Sequence, residues 1–295
     1  MQIIGKIKTK NRTINVYENS EENIDLNTVE SFGEEWSDFK DFKEEEIANL
    51  GVEYFDIIND TIVNKSTVLA DFGCGSGRFS KYWQQKVKKI YAIDPSIAVL
   101  SADNLIGKDE NVVIVKASIA NLPFEDNFFD FGMSIGVMHH IPDTQKAMID
   151  CVSKVKPGGY FYTYLYYKLE NRGKAYKLLW NISNIFRNII ANMPKKIKNI
   201  ICELIAATIY LPFIFLTRML IFFNANSKVW SKIPLSYYYN KSFYIIRNDA
   251  RDRFGTPLEQ RFSKKEIEKM MINAGLINIV FSENMPYWHA IGQKK

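Results

Sequence analysis

The residues best suited to chemistry lie in one short stretch, residues 71–77, which reads Asp-Phe-Gly-Cys-Gly-Ser-Gly. Apolar residues precede it and a sequence able to form a helix follows it, so the pattern predicts a strand, a tight turn and a helix start. Glycines at alternate positions remove three Cβ atoms and permit positive φ angles. A ligand can then lie against bare backbone at the N-terminus of the helix. The stretch therefore predicts a site for a nucleotide-like ligand.

Two common nucleotide motifs do not fit this turn. The Gly-x-Gly-x-x-Gly fingerprint of dinucleotide enzymes needs Gly or Ala at position 78, where this chain has Arg78. The turn also lacks the Gly-Lys-Ser/Thr of a triphosphate-binding loop. A carboxylate at Asp71 would repel a pyrophosphate but suits a cationic ligand. A glycine-rich turn of a sugar-nucleotide or flavin protein, or a turn that binds nothing, stays open as an alternative.

The turn resembles the first motif of class I S-adenosylmethionine-dependent methyltransferases, Asp/Glu-x-Gly-x-Gly-x-Gly. Three later segments resemble the same family in the same order: 117–124, 128–143 with its His-His pair, and the Lys-Pro-Gly-Gly turn at 156–159. The resemblance implies an α/β fold with a doubly wound, mostly parallel seven-stranded sheet of the Rossmann-like methyltransferase type. It also implies S-adenosylmethionine as the cofactor, whose α-ammonium and sulfonium suit an acid at Asp71.

Further cofactor contacts are expected where the next strands end. Asp94 comes 23 residues after Asp71, the spacing at which an acid meets both ribose hydroxyls; the alternative is an N-cap on the helix that follows. Ser118 stands where the family has an acid that contacts adenine, and a hydroxyl still accepts a hydrogen bond from the amine. The predicted cofactor-binding residues are Asp71, Phe72, Gly73, Cys74, Gly75, Gly77, Asp94, Pro95, Ser118, Ile119, Ser134 and Ile135.

His139 and His140 follow the predicted fourth strand, and the carboxyl ends of strands line the ligand crevice of a doubly wound sheet. An imidazole with a pKa near neutrality is matched to accepting a proton from an acceptor hydroxyl. Both are therefore candidate catalytic residues. In the family the His pair is often structural and holds the loop, so that alternative stays open.

Residues 166–261 are predicted to be a largely helical insertion, aromatic and basic, placed where related enzymes carry a lid that binds the acceptor. The candidate acceptor-binding residues are Tyr164, Arg253, Arg261 and His289. The alternatives are that both arginines only pair with neighbouring acids, and that His289 is a half-buried strand histidine.

Within the insertion, residues 195–223 combine lysines with an apolar run. The longest uncharged run, 204–217, falls short of the ~20 residues that a membrane span requires, so we expect none. Two interpretations remain: a lid helix packed on the core, or peripheral contact with a membrane through an interfacial element whose lysines meet anionic headgroups.

Charge is distributed unevenly. Fifteen acids and two lysines lie between residues 18 and 60, whereas eleven Lys or Arg and two acids lie between 168 and 232. Nucleic acid is not an expected partner, because the basic region is strongly apolar and the acidic front end would oppose it. Three scattered cysteines predict neither a metal site nor a disulfide framework, and the first residues lack a signal peptide. We expect a cytoplasmic protein, at the inner membrane face if the apolar segment binds lipid.

The amino-terminal region, residues 1–50, is predicted to form a hairpin and an acidic helical cap. Phe32, Trp36 and Phe39 either close over the methionine end of the cofactor or form one packed helix face. The core then covers 51–165 and 262–295, with a helix expected over 51–64.

Together these patterns predict a methyltransferase that acts on a small-molecule, sugar or lipid-linked acceptor, by preference at oxygen. The alternative is a non-catalytic scaffold or partner subunit that binds the cofactor. The sequence does not indicate the oligomeric state.

Overall fold

A computed structural model describes residues 2–18, 22–39 and 42–295. Within them the chain divides into two units, residues 1–170 with 258–295 and residues 171–257. The strands, all in the first unit, are β1 Ile3–Lys8, β2 Thr13–Tyr17, β3 Val68–Phe72, β4 Lys89–Asp94, β5 Val112–Lys116, β6 Phe129–Ile135, β7 Val155–Tyr164, β8 Leu276–Phe281 and β9 His289–Lys294. The α-helices are α1 Leu26–Asp38, α2 Glu44–Tyr54, α3 Arg78–Trp83, α4 Val99–Ile106, α5 Thr144–Ser153, α6 Lys174–Ala191, α7 Lys195–Ile205, α8 Leu211–Phe222, α9 Ser227–Trp230, α10 Phe243–Gly255 and α11 Lys264–Asn273.

The strands form one sheet in the order β1-β2-β5-β4-β3-β6-β7-β9-β8. Strands β2 to β7 pair in parallel, and β9 runs antiparallel between β7 and β8. The order reverses at β3, which has β4 on one side and β6 on the other. This reversal is the point at which open α/β sheets bind ligands. The sheet confirms the predicted doubly wound fold.

The predicted hairpin joins this sheet, so seven strands become nine. Its second strand pairs in parallel with β5, and Ile14 is fully buried there. Arg12 forms an ion pair with Asp103 at 2.7 Å and donates to the carbonyl oxygens of Gly107 and Val112. These bonds satisfy its guanidinium and fix the hairpin to the edge of the sheet.

Helices cover both faces of the sheet because its strands are apolar on both sides. Ala70 and Phe72 belong to the core under α5 and α11, whereas Leu69 belongs to the core under α2, α3 and α4. A capping box holds the start of α11, where Ser263 and Glu266 bond to each other's backbone amides.

The helix expected over 51–64 is wrong beyond Tyr54. Helix α2 begins at Glu44, where three acids in the first turn favour the helix dipole, and it ends at Tyr54. Asn59 then accepts hydrogen bonds from the amide and hydroxyl of Thr61, which stabilises a turn instead of a helix. Val52, an apolar residue of the expected helix, is 71% exposed.

The second unit is helical, with α6, α7, α8 and α10 around a small core of its own. Helices α7 and α8 are continuous through one wide turn of π-helix, Ala206–Tyr210. The resulting helix, Lys195–Phe222, is long and apolar enough to cross a membrane by length and composition alone. The wide turn keeps Cys202, Tyr210 and Ile214 on one buried face, which a regular α-helix would rotate away from one another.

The observed boundaries of this unit lie inside the predicted insertion of 166–261. Residues 166–170 and 258–261 bond to the sheet unit: Tyr167 pairs with Phe262, and Trp288 donates to Glu170. The sheet unit therefore retains both ends of the segment.

Candidate functional site

The glycine turn follows β3 at the reversal point of the sheet. Gly73, Gly75 and Gly77 have φ angles of +82°, +51° and +79°, which side chains rarely adopt. A Cβ at Gly73 would lie 2.5 Å from Val137, and one at Gly75 would lie 2.9 Å from Nε1 of Trp36. The turn needs glycine both for its backbone angles and for close packing of the segments around it.

Asp71 lies at the end of β3 and is fully buried. Its Oδ2 accepts a hydrogen bond from Ser80 Oγ at 2.7 Å. Burial raises the pKa of Asp71 to about 7, and the charge of Asp94 adds to the rise although the bond from Ser80 opposes it. A cation placed here would favour the ionised carboxylate, which matches the predicted ammonium contact.

Asp94 lies at the end of β4, the strand next to β3. Its Oδ2 accepts from the Gly75 amide at 2.9 Å, and its Oδ1 accepts from the amide and hydroxyl of Ser96 at 2.9 and 2.6 Å. The alternative N-cap is not observed, because α4 begins five residues later, at Val99. Asp94 thus holds the glycine turn, and its Oδ2 keeps one lone pair for a ribose hydroxyl.

Two buried hydroxyls beside these carboxylates have no hydrogen-bond partner within the described residues. Ser118 Oγ, 3% exposed as a residue, follows β5, and Ser76 Oγ lies in the glycine turn. Buried hydroxyls are normally bonded, so each unmet group is a contact that a ligand can supply. With two carboxylates for cationic and ribose groups and a free hydroxyl at the adenine position, the residues fit S-adenosylmethionine.

The other predicted cofactor residues have structural contacts. Ser134 Oγ donates to the Phe72 carbonyl at 2.9 Å, and the Phe72 ring lies in the core. The Pro95 carbonyl accepts from Lys116 Nζ at 2.6 Å. Burial raises the pKa of the Cys74 thiol well above its ordinary value, so this thiol stays protonated. Ile119 and Ile135 are buried beside the turn, where their backbone remains the group able to contact a ligand.

Helix α1 covers the carboxyl ends of these strands. Trp36 packs on Gly75, Gly33 packs on Ser96, and the Phe32 ring meets His140 edge-on at 4.8 Å. The two sequence interpretations of these aromatics are thus compatible, because one packed face of α1 is also the wall above the turn.

His139 and His140 form a short 3₁₀ turn after β6 and are both buried. Both ring nitrogens of His139 lack a hydrogen-bond partner in the described part of the chain, and its ring lies 3.8 Å from that of Tyr166. Burial, with the nearby charges of His140 and Arg261, holds the pKa of His139 well below its ordinary value. Its imidazole is therefore neutral. His140 Nδ1 instead donates to the Leu258 carbonyl at 2.6 Å, a structural contact.

Tyr164 and Arg261 lie near this turn. Tyr164 is half-buried and meets Tyr166 at 5.9 Å between ring centroids, and the Arg261 guanidinium lies over the Tyr166 ring at 5.1 Å. Arg261 also pairs with Glu259 at 2.8 Å. The pairing alternative is thus observed for Arg261.

The remaining two acceptor candidates make contacts of their own. Arg253 lies on α10 of the second unit, over the Trp180 ring. His289 is fully buried; Nε2 lies 2.7 Å from Asp56 Oδ1 and Nδ1 lies 2.8 Å from the Pro286 carbonyl. Although burial opposes it, hydrogen bonds from Ser282, Asn284 and His289 lower the pKa of Asp56. Both nitrogens of His289 are engaged within the fold, which favours the alternative of a strand histidine with a structural role.

Sequence reasoning missed Ser80, Ser96 and the contact of Trp36 with Gly75. Ser96 carried a signal, because Asp-Pro-Ser is typical of a turn in which Asp bonds the residue two positions on. Ser80 lies one helical turn after Gly77, the N-cap of α3, and faces back to Asp71. Sequence spacing alone does not report that direction.

Comparison with known proteins decides the family. Residues 70–163 match a family model described as a methyltransferase domain. The chain carries a class I methyltransferase domain. The match contains the glycine turn, Asp94, Ser118 and the His-His turn. S-adenosylmethionine is the cofactor of this domain.

Two relatives and one solved structure illustrate the similarity. The methyltransferase domain is 32% identical over 114 residues to malonyl-[acyl-carrier protein] O-methyltransferase of Buchnera aphidicola, covering 38% of this chain and 45% of that one. It is 33% identical over 114 residues to demethylmenaquinone methyltransferase of Staphylococcus aureus, covering 35% and 44%. Human N-acetylserotonin methyltransferase in complex with S-adenosylmethionine has the same fold, with a TM-score of 0.51, 12% identity, and coverage of 89% and 56%. The matches thus span about half or less of these relatives.

Proposed function

We propose that this chain transfers the methyl group of S-adenosylmethionine to a hydroxyl oxygen of a small-molecule, sugar or lipid-linked acceptor. One observation carries the proposal. The neutral ring of His139, with both nitrogens unbonded among the described residues, is buried two residues after Val137, which packs on Gly73 in the predicted cofactor turn of a methyltransferase domain.

When bound, S-adenosylmethionine supplies an electrophilic methyl carbon on its sulfonium. Asp71 would balance the cationic amino-acid end, and Asp94 would bond the ribose while it holds Gly75 in place. His139 would accept the proton that the acceptor hydroxyl loses as the new carbon–oxygen bond forms. A ring already neutral at physiological pH needs no prior deprotonation, although its lowered pKa makes it a weaker base than the imidazole of near-neutral pKa that the sequence predicts.

The position of helix α1 supports the remaining requirement, that water be kept from the reacting atoms. Trp36 and Phe32 place an apolar wall against the glycine turn and the His-His turn. Because displacement at a methyl carbon needs an in-line nucleophile, positioning in such a pocket can supply much of the rate.

The choice of oxygen has support from one relative. The malonyl-[acyl-carrier protein] enzyme is by its name an O-methyltransferase, whereas the name of demethylmenaquinone methyltransferase does not state the methylated atom. The domain type indicates a soluble protein.

Methyl-labelled S-adenosylmethionine tests the proposal. The protein is incubated with metabolite and lipid extracts, and labelled products are fractionated and hydrolysed to identify the methylated atom. We expect an acid-stable methyl ether, with no label transferred by Asp94→Ala; a base-labile methyl ester would instead show that the acceptor is a carboxylate. Cofactor binding without transfer to any fraction would favour the scaffold alternative, and methylation at nitrogen or carbon would contradict the choice of oxygen.

A further inference from the structure

We propose that the second unit, residues 171–257, lies on an anionic lipid surface through apolar faces of α6 and of the continuous helix Lys195–Phe222. This inference is independent of the proposed reaction. It rests on four features of the unit: its exposed apolar side chains, its buried charges, its net charge and the composition of α10.

The first apolar face runs along α6. Leu178, Ile182, Ile185, Phe186 and Ile189 follow helical spacing and are 46–62% exposed. The exposed polar residues that lie between them are asparagines, which carry no charge. A face of this size on a soluble helix marks an interaction site.

The second face runs along the continuous helix. Leu204, Phe215, Met219 and Phe222 are 41–79% exposed. Two charged residues interrupt it, and both are bonded to neighbouring residues of the unit although Arg218 is itself exposed. Glu203 accepts hydrogen bonds from Nε and Nη2 of Arg247 at 2.6 Å, and Arg218 donates to the Tyr239 carbonyl at 2.6 Å.

Charged side chains are buried where apolar ones are exposed. Arg187 and Lys198, 5% and 7% exposed, donate to the carbonyl oxygens of Thr256 and Gly255. Arg251, on α10, is 7% exposed. Lys and Arg are almost never fully buried unless paired, and Arg187 and Lys198 meet that condition through these carbonyl oxygens. Because these cations are directed inward, the outer side of the two helices is left to apolar side chains, as expected for a surface that faces lipid.

The sign of the charge identifies the kind of lipid. The unit has fourteen Lys or Arg residues against three acids, Glu203, Asp249 and Asp252. Lys174, Lys196, Lys228 and Lys232 are exposed at or near the ends of these helices. Basic residues flanking an apolar face are typical of helices that bind anionic membranes.

The composition of α10 distinguishes a helix that lies on the membrane from one that crosses it. Helix α10 packs on the buried side of α6 and of the continuous helix, and it carries Arg247, Asp249, Arg251, Asp252 and Arg253. A crossing helix would have to bring these charges into the hydrocarbon, at a cost of about 3 kcal/mol for each basic or Asp residue. A helix in the interface leaves them on the water side.

Vesicle flotation of the full chain tests the inference. We expect flotation with phosphatidylglycerol-containing vesicles and little with pure phosphatidylcholine, reversed by high salt. Phe215→Ser with Phe222→Ser, or separately Ile185→Ser with Phe186→Ser, should lower partitioning by about tenfold or more. The control pair, Val52→Ser with Ile272→Ser, removes exposed apolar residues from α2 and α11 and should leave it unchanged.

A charge series completes the test. Replacing Lys196, Lys228 and Lys232 by Gln should weaken binding by about fivefold per lysine, whereas the same change at Lys88, Lys265 and Lys269 in the first unit should not. Circular dichroism shows that the helices of each variant are folded, and because vesicle binding is measured without an acceptor, its outcome is separate from that of the proposed reaction. Equal binding to both vesicle types, no binding, or resistance to carbonate extraction, as for a crossing helix, would each overturn the inference.

Discussion

The two carboxylates at the glycine turn differ in how many hydrogen bonds they accept. Asp94 accepts three from Gly75 and Ser96, whereas the side-chain bond to Asp71 comes from Ser80. Burial without enough donors favours the neutral acid, which is why the pKa of Asp71 reaches about 7. The buried Asp71 side chain thus destabilises the folded protein. A cationic ligand bound beside it would stabilise its ionised form.

Replacing Asp71 with Asn should stabilise the protein and weaken cofactor binding. Because the pKa of Asp71 rises from 3.8 to about 7 on folding, the native state holds a proton that the unfolded chain loses above pH 4. The free energy of unfolding should fall as pH rises from about 4 to about 7, by on the order of a few kcal/mol, since a tenfold change in an acid dissociation constant corresponds to about 1.4 kcal/mol. Asp71→Asn should flatten this dependence and be more stable than the native protein at pH 8. Urea denaturation at pH 5 and pH 8 measures it.

The affinity of the same variant for S-adenosylmethionine should fall by about tenfold or more, because a hydrogen bond to a charged group is lost. Equal pH slopes for both proteins would show that Asp71 is ionised in the folded state.

The two histidines should separate by their effects on rate and stability. His139→Ala should lower kcat by about 10²–10⁴ with cofactor affinity unchanged, as expected for loss of a general base. His140→Ala loses the bond to Leu258 and should lower the free energy of unfolding by about 1 kcal/mol with a smaller effect on kcat. Since the pKa of His139 lies well below 6.5, its protonation should not reduce kcat between pH 8 and pH 6.5. Equal losses of rate in both variants would favour the structural alternative.

At the scale of elements, helix α1 both packs on the core and covers the proposed cofactor site. Its N-cap Asp25 accepts from the Thr28 amide at 2.7 Å, and its aromatic face packs on the turns after β3 and β6. The Arg78 guanidinium lies 4.8 Å from the Trp36 ring centre and fixes the ring from the side of α3.

Trp36→Ala should lower the affinity for S-adenosylmethionine even in protein that remains fully folded. The indole covers Gly75, so its removal opens the turn to water. Leu26→Ala, at the exposed start of the same helix, is the matched control and should leave affinity unchanged. Calorimetry on protein shown to be folded by circular dichroism measures both. An affinity equal to that of the native protein would mean that Trp36 only packs.

Gly51 should behave against the usual rule for helices. Gly→Ala within a helix normally stabilises by about 1 kcal/mol. In α2 a Cβ at Gly51 would lie 1.9 Å from the Tyr82 ring, so Gly51→Ala should destabilise by about 1–3 kcal/mol. In a Tyr82→Ala background the same change should stabilise. Thermal unfolding of the native protein, the two single variants and the double variant forms a double-mutant cycle. If Gly51→Ala changes stability with the same sign in both backgrounds, the contact with Tyr82 is disproved.

Elements near the motifs were predictable and elements between them were less so. The strands from Val68 to Tyr164 have continuous apolar runs bounded by turns, which fixes them locally. Helix α2 was misplaced because its apolar spacing continues past Tyr54, whereas the turn at Asn59 depends on a side-chain bond that periodicity does not report.

At the scale of the molecule, every predicted site residue except Arg253 belongs to the sheet unit. The two hydrophobic cores of the sheet unit are formed from residues of that unit alone. The helical unit has a separate core around Tyr210 and Ile246. Its existence followed from composition, but its exposed apolar faces did not, because a sequence shows which helix residues are apolar and not which of them find a partner.

Replacing residues 171–257 with a Gly-Ser linker of about eight residues should leave a folded sheet unit that binds S-adenosylmethionine within about tenfold of the native affinity. Vesicle binding should be lost. Calorimetry and flotation measure the two. Loss of cofactor binding by a folded variant would show that the helical unit supplies part of the cofactor site.

The hairpin that extends the sheet also covers an edge strand with which another molecule in solution could pair. Without residues 2–17, the amide and carbonyl groups of Val112–Lys116 would form the outermost row of the sheet, open to pairing with a second molecule. A shortened protein would therefore be prone to aggregate even with an intact methyl-transfer site, and work on solubility should begin at the amino terminus.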